Sequence, residues 1–320
     1  MKNIIADFGA VPGLANNSQA AFDAAMACGG RIHVPEFPFS VPNGITMTKP
    51  TILEGDGWGS SQIYTGPGVP ALTIRPDPTI PFYDGWGVEE LYFQPAAGNH
   101  SILIDLAHPG VFLNKALFRR IFFQGTDGAN AIYLNNPVNN DGFFCSTIEE
   151  CLSIGGGFNL PRAGDSLTIA RNTLTGPGTG ISASHVPGAA VMTIEDNNLT
   201  TQGGLLLLQF INQARIIGNN CESFGAAVQF ILAACSNCEI TGNEQNTHNA
   251  TICTVLENGT ANTIFDKNKM SAATHISIGP ATPGTAVLGT NKFYDSVSGA
   301  AVDGIILNQS PPLWVPQPLS

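Results

Sequence analysis

Apolar residues along this chain come in short runs, alternating with polar positions and broken by Gly, Asn, Ser and Pro, which is the pattern of brief strands joined by turns. Aligned on one another, the runs reveal a repeat of the form apolar, two variable residues, then Asn or an apolar residue. Nine segments fit: "VEELYF" from Val88, "FRRIFF" from Phe118, "IEECLS" from Ile148, "IARNTL" from Ile169, "IEDNNL" from Ile194, "IIGNNC" from Ile216, "ITGNEQ" from Ile240, "FDKNKM" from Phe265 and "LGTNKF" from Leu288. They recur every 21 to 30 residues with no helical pattern between them. This predicts an all-β chain, a right-handed parallel β-helix in which each coil stacks on the next.

The fourth position reads Leu91, Ile121, Cys151, Asn172, Asn197, Asn219, Asn243, Asn268 and Asn291. Asn tolerates a left-handed corner, and its amide can bond the Asn one coil away, so a structural ladder is expected, with an apolar stack in the earlier coils. One helix stands out, from Ser18 to Cys28, with Asn17 or Ser18 as its cap, an Ala-rich interior and Gly29-Gly30 as its stop. A solenoid leaves open strand edges and an open core at its ends, so this helix reads as a lid, with Phe22 and Met26 plugging the core. Residues 1–50 are therefore assigned as the N-terminal cap, 51–295 as the β-helix and 296–320 as a C-terminal tail.

Composition narrows the function. Charged residues are only 12% of the chain, the hydrophobic share is 43% in interrupted runs, and Gly and Pro number 36 and 22, which suits a turn-rich solenoid and excludes a membrane span. Net charge is −11 and the 13 basic residues are scattered, so nucleic acid is not an expected partner. No secretory signal pattern follows Lys2. The seven cysteines are read as free thiols, Cys28, Cys145, Cys151, Cys221 and Cys253 in apolar surroundings. Cys235 and Cys238 have metal-like spacing but no second ligand pair, so neither metal nor cofactor is predicted.

"DFGA" at Asp7 to Ala10, then the helix, then "RIHVPEFPFSV" at Arg31 to Val41, resembles the N-terminal pattern of the pectate-lyase-like superfamily, which phage tailspikes and capsule depolymerases share. "ILEGDG" at Ile52 to Gly57 resembles its first coil. The chain departs from the pattern where "ANNSQAAF" replaces an acidic link and Glu36-Phe37 a Gly-aromatic step. The resemblance implies a single-stranded β-helix and glycan chemistry, but polygalacturonase residues do not carry over, and "GTDG" at Gly125 to Gly128 is read as a turn.

The two variable residues of each segment are expected to face outward. By coil they are Glu89-Glu90, Arg119-Arg120, Glu149-Glu150, Ala170-Arg171 and Glu195-Asp196, so charge alternates in sign. The simpler reading is an ion-pair ladder that fixes strand register. The sharper one is a glycan-cleaving site, since carboxylates two coils apart would be roughly 9.6 Å apart, near the upper end of the inverting-glycosidase range. Its catalytic candidates are Glu149, Glu150, Glu195 and Asp196, with Arg171 between them. Arg119 and Arg120 are candidates for binding substrate, and Tyr92, Phe122 and Trp86 for stacking on sugar rings. Asp127 and Asp141, in turns of the same region, complete the set. The histidines share no common row, so no His base is chosen.

Two functions follow. One is a virion-associated enzyme resembling a phage tailspike, which binds and degrades bacterial capsule or O-antigen by hydrolysis or elimination and reaches the outside by lysis. The other is a non-catalytic receptor-binding or structural tail protein on the same scaffold; a secreted pectate or polyuronate lyase is a weaker third. The family resemblance also implies a homotrimer, with possible contacts to other tail proteins. The tail "AAVDGIILNQSPPLWVPQPLS" is expected to be too irregular to continue the helix and to bury Val302, Ile305, Ile306, Leu307, Leu313, Trp314 and Val315 between subunits.

Overall fold

Each coil contributes one short strand to each of three parallel sheets, because its apolar residues alternate along three brief runs whose inward members stack on those of the coils before and after. The computed structural model describes residues 1–79, 84–124, 129–137, 142–178, 180–185, 190–225, 228–248, 252–279, 286–304 and 306–308. The chain is an all-β parallel solenoid of about 10 turns with 49% strand. It forms two compact units, Met1–Leu167 and Thr168–Ser320.

In the first unit, sheet A carries Gly30–Val34, Thr51–Gly55, Gly87–Glu89, Leu117–Arg119 and Thr147–Glu149. Sheet B carries Pro38–Ser40, Gln62–Tyr64, Tyr92–Gln94, Phe122–Gln124 and Leu152–Ile154, and sheet C runs from Ile45–Met47 to Phe158–Leu160. The register is the one the repeat predicts: Val88 pairs with Phe118 and Phe118 with Ile148. In the second unit Ile194, Ile216, Ile240, Phe265 and Leu288 follow one another in the same way. Ile32, Leu53, Val88, Phe118 and Ile148 form one buried stack, and Phe39, Ile63, Phe93 and Phe123 another.

The corner between sheets A and B is a single left-handed residue. In the first unit it is Glu90, Arg120 and Glu150, with φ of 57°, 51° and 55°. In the second it is Arg171, Asp196, Gly218, Gly242 and Lys267. The sequence reading gave the left-handed backbone to the fourth position; the structure gives it to the residue before. That residue turns the chain so that the fourth side chain points inward, where Leu91, Ile121 and Cys151 pack in the first unit. In the second, Asn172, Asn197, Asn219, Asn243 and Asn268 are each 1% exposed and bonded amide to amide at 2.9–3.0 Å, ending on Asn291. Each carboxamide oxygen also accepts the backbone N–H of the preceding Asn, and the amide nitrogen reaches a strand carbonyl; for Asn219 this is Ile194 O at 3.0 Å.

Helix α1 (Gln19–Cys28) buries Ala21, Phe22, Ala25 and Met26, and the Phe22 ring meets Phe39 edge-on at 5.7 Å. Its first turn is capped by Asn17, whose Oδ1 accepts the Gln19 N–H at 2.9 Å, while the Ser18 hydroxyl turns away to Val11. Gln19 bonds the Asn43 N–H and the Gly44 carbonyl just before the Ile45–Met47 strand, tying the lid to the first edge of sheet C.

Two expectations fail. Cys28 and Cys145 are exposed, because Cys28 closes the helix beside the Lys2 ammonium and Cys145 occupies a left-handed turn at φ 49°. The tail is not wholly irregular: Ile306–Asn308 is a parallel strand paired with Ile276–Ile278 in sheet C. Ile305, Leu313, Trp314 and Val315 lie outside the described residues, and Val302 is 37% exposed.

The ladder makes a prediction. Asn219→Ala leaves the Asn197 N–H, the Ile194 carbonyl and the Asn243 amide oxygen buried without that partner, and is expected to cost about 3 kcal/mol in denaturant unfolding. Asn291→Ala, at the half-buried end, should cost about 1 kcal/mol.

Candidate functional site

The left-handed corner sets the position before it and the position two after it on adjoining faces. In the first unit this places a charged row next to an aromatic one. On sheet A, Glu54, Glu89, Arg119 and Glu149 are cross-strand neighbours in register. Glu89 is 5% exposed, which the outward-facing reading did not anticipate: its carboxylate lies between Arg31 at 3.3 Å and Arg119 at 2.5 Å. Arg31 also pairs with Glu54 at 2.7 Å. At the corner, Arg120 joins Glu90 and, at 3.1 Å, Glu150. From Glu89 to Glu149 the alternating signs thus form an ion-pair ladder, and the like-charged neighbours Glu54 and Glu89 are held together by Arg31, which bonds both.

The adjoining face of sheet B carries rings. Tyr92 pairs with Phe122 across the strands, and their rings meet edge-on at 5.1 Å. Tyr64 lies 5.9 Å from Tyr92 on one side, and Trp58 covers Phe122 at 5.5 Å from the Asp56–Ser61 loop. The strip is rimmed by Leu152 and by Ile154, which is 46% exposed. A row of amides crosses it: the Tyr64 hydroxyl donates to Gln62 at 2.8 Å, and the Tyr92 hydroxyl is within 2.7 Å of Gln94 Oε1 and 2.6 Å of Gln124 Oε1. With one proton, Tyr92 donates to one of these oxygens at a time. Burial, followed by the neighbouring Tyr64, pushes its phenol up to about 12, so it stays a neutral donor at ordinary pH.

Of the predicted residues, Glu149, Glu150, Arg119, Arg120, Tyr92 and Phe122 come together on this corner. Trp86 does not: it is 3% exposed, part of the core, and offers no ring face to a ligand. Tyr92, at 7% exposed, is the clamped centre of the strip rather than an open platform, while Phe122 and the 38%-exposed Trp58 present surface. Arg171, Glu195 and Asp196 belong to the second unit, where Arg171 N–H bonds Glu195 O at 3.0 Å and Arg171 and Asp196 are left-handed corner residues. Asp127 and Asp141 lie outside the described residues.

Sequence reasoning missed Trp58 and the amides. The signal for Gln94 and Gln124 was present as a Gln two residues after the ring in successive coils; Gln62 stands instead at the Tyr92 position, two before Tyr64, and Trp58 sits in a loop, which carries no period. Of the histidines, His33 stands in the sheet A row, in register with Glu54, its ring bonded to Asp56 at 2.8 Å; His100 stacks on Tyr133 of sheet C at 4.6 Å, its pKa lowered by burial, and His275 is fully buried. Among the described residues no group of three or more His, Cys, Asp or Glu side chains is placed to hold a metal ion.

A strip of ring faces edged by amides can stack on the apolar faces of pyranose rings and bond their hydroxyls. Glu90 and Glu150 flank it two coils apart, roughly 9.6 Å by strand spacing, with the Arg120 guanidinium bonded to both between them.

No protein-family model and no curated protein sequence matches the chain. Solved structures do. The Azotobacter vinelandii mannuronan C-5 epimerase AlgE6 A-module aligns with 98% of this chain and 100% of its own length, at 13% identity and a TM-score of 0.62. The Acinetobacter phage vB_ApiP_P1 tailspike protein aligns with 96% of the chain at 13% identity and a TM-score of 0.61. The tailspike protein of E. coli bacteriophage HK620 aligns with 92% at 12% identity and a TM-score of 0.59. The chain spans 59% and 67% of the two tailspikes' lengths. At such identities the likeness shows the fold alone, a parallel β-solenoid.

Two outcomes test the site's geometry. Because its folded pKa stands above the ordinary value of 10, Tyr92 contributes stability that is complete below pH 10 and lost as pH rises towards 12. Alkaline absorbance titration should show one late-ionising tyrosine, absent in Tyr92→Phe. Glu89→Gln should cost about 2 kcal/mol by uncoupling two guanidinium groups from a buried carboxylate, and Glu150→Gln under about 1.

Proposed function

We propose that this protein binds a bacterial surface polysaccharide, capsule or O-antigen, along the corner of its first unit and cleaves it there. The observation that carries the reading is the aromatic and amide strip of Trp58, Tyr64, Tyr92, Phe122, Gln94 and Gln124, running beside carboxylates at fixed coil spacing. Likeness to a polysaccharide-modifying epimerase module and to phage tailspikes supports glycan as the ligand and a virion as the setting. Glu149 and Glu150 are the proposed catalytic carboxylates of this site; Glu195 and Asp196 are a separate candidate pair within the second unit. Arg119 and Arg120 border the glycan while they stay paired with Glu89, Glu90 and Glu150, and so hold those carboxylates in place.

A second reading, a receptor-binding protein without cleavage, is favoured by one feature: Arg120 already spans Glu90 and Glu150, as an inert ladder would. Incubating the protein with capsule or O-antigen and measuring new reducing ends together with the absorbance of unsaturated uronides separates the two. Cleavage is expected, and its loss in Glu149→Gln or Glu150→Gln at nearly unchanged thermal stability, since exposed carboxylates contribute under about 1 kcal/mol. Full activity in these and in Glu195→Gln and Asp196→Asn moves the chemistry off the charged rows; binding without cleavage in the parent protein establishes the second reading.

We propose a parallel homotrimer as the working assembly. Light scattering checks it: a mass of three chains is expected, and one near 33.5 kDa refutes it.

A further inference from the structure

The aromatic strip is edged by uncharged amides, and every guanidinium near it is already engaged. Gln62, Gln94 and Gln124 supply its hydrogen-bonding groups. Beside it, Arg31 is held by Glu54 and Glu89, Arg119 by Glu89, and Arg120 by Glu90 and Glu150. Among the described residues of the first unit, these three guanidinium groups and the His33 imidazole, which is bonded to Asp56, share the sheet A face and corner with six carboxylates, Glu54, Asp56, Glu89, Glu90, Glu149 and Glu150, on a chain whose net charge is −11.

A polyanionic chain laid along the strip would meet this excess of negative charge. To gain a cation it would have to displace a carboxylate from an ion pair that is partly shielded from water; Glu89 is 5% exposed and Glu90 has a side-chain exposure of 25%. Carboxylate on carboxylate at a few ångströms opposes binding, and the opposition is strongest where solvent is thin. A neutral sugar meets none of it. Its ring faces need only the rings, and its hydroxyls need groups that both donate and accept, which carboxamides do.

We infer that the glycan taken by this strip is neutral, a chain of uncharged hexose or deoxyhexose units, and not a polyuronate or a sialic acid polymer. The inference rests on the strip being the glycan site. It also decides between the two cleavage chemistries. Elimination removes a proton made acidic by an adjacent uronic carboxyl group, which a neutral sugar lacks. What is open to it is hydrolysis: the bond from the anomeric carbon to the bridging oxygen breaks, that oxygen takes a proton, and water adds its oxygen to the anomeric carbon and gives up a proton. One hydroxyl and one new reducing end result.

Affinity electrophoresis of the full chain through gels containing dextran, mannan or galactan on one side, and polygalacturonate, alginate or polysialic acid on the other, tests this. Retardation by at least one neutral polymer is expected, about tenfold weaker in Phe122→Ala or Trp58→Ala and little changed by about 0.15 M salt, because stacking is not screened. No retardation is expected in the three acidic gels. Binding to an acidic polymer, with loss in Arg120→Ala, overturns the inference and leaves the strip as a glycan site. Binding that survives both ring deletions, or none in any gel, overturns the strip itself and the inference with it.

Discussion

A left-handed residue at the corner from sheet A to sheet B, recurring from Glu90 to Lys267 and followed each time by an inward-pointing side chain, is the constraint on which the rest of this structure depends. For a residue with a Cβ that backbone costs on the order of 1 kcal/mol, and Glu90, Arg120, Glu150, Arg171, Asp196 and Lys267 all adopt it. It persists because the next residue is locked inside, by apolar packing at Leu91, Ile121 and Cys151 and by the carboxamide ladder from Asn172 onward. The two devices solve the same problem. An apolar side chain fills the corner but leaves its polar backbone to the strands, while Asn also bonds a backbone N–H and a carbonyl, which suits buried positions where water cannot.

A turn made by one residue is sharp, and its sharpness creates the candidate site. Sheets A and B meet with no loop between them, so the charged row before the corner and the ring row after it are separated by two residues of chain. Because each coil repeats the last, whatever stands at one position stacks on its equivalent at about 4.8 Å, and like charges there would repel. Alternation of Glu and Arg from Glu89 to Glu149 removes that repulsion, and where Glu54 stacks on Glu89 the Arg31 guanidinium bonds both carboxylates. Rings carry no such penalty: Phe122 stands directly beside Tyr92, and Tyr64, in register with Gln94, reaches the Tyr92 ring diagonally at 5.9 Å.

The repeat was legible because its inward residues recur with a period that any alignment exposes, and the register read from Val88, Phe118 and Ile148 is the register observed. The Asn stack and the helical lid were legible for the same reason: Asn at a fixed place, and apolar residues four apart over an open core. What escaped depends on contacts that no period encodes. Trp86 sits one residue before a strand, where alternation no longer tells inside from outside, and it proved to be core. Trp58 reaches Phe122 from a loop. The left-handed residue was placed one position late because Asn favours that backbone in isolation, whereas here its amide bonds decide where it stands and the preceding residue takes the strain.

Rigidity favours the strip as a binding surface over an accident of leftover hydrophobicity. Exposed apolar side chains scattered singly need no explanation, but Trp58, Phe122 and Ile154 are grouped, and the rings within the group are fixed by one another. Tyr92 is held twice, by its neighbours' rings and by a hydroxyl bonded to amides of its own coil and the next. Side chains already confined to one rotamer lose little entropy when a ligand settles on them, so a flexible polysaccharide meeting this surface bears most of the ordering cost itself. A surface of that kind recognises shape and hydroxyl pattern along an extended chain, with the ion-pair row beside it setting which charges are turned away.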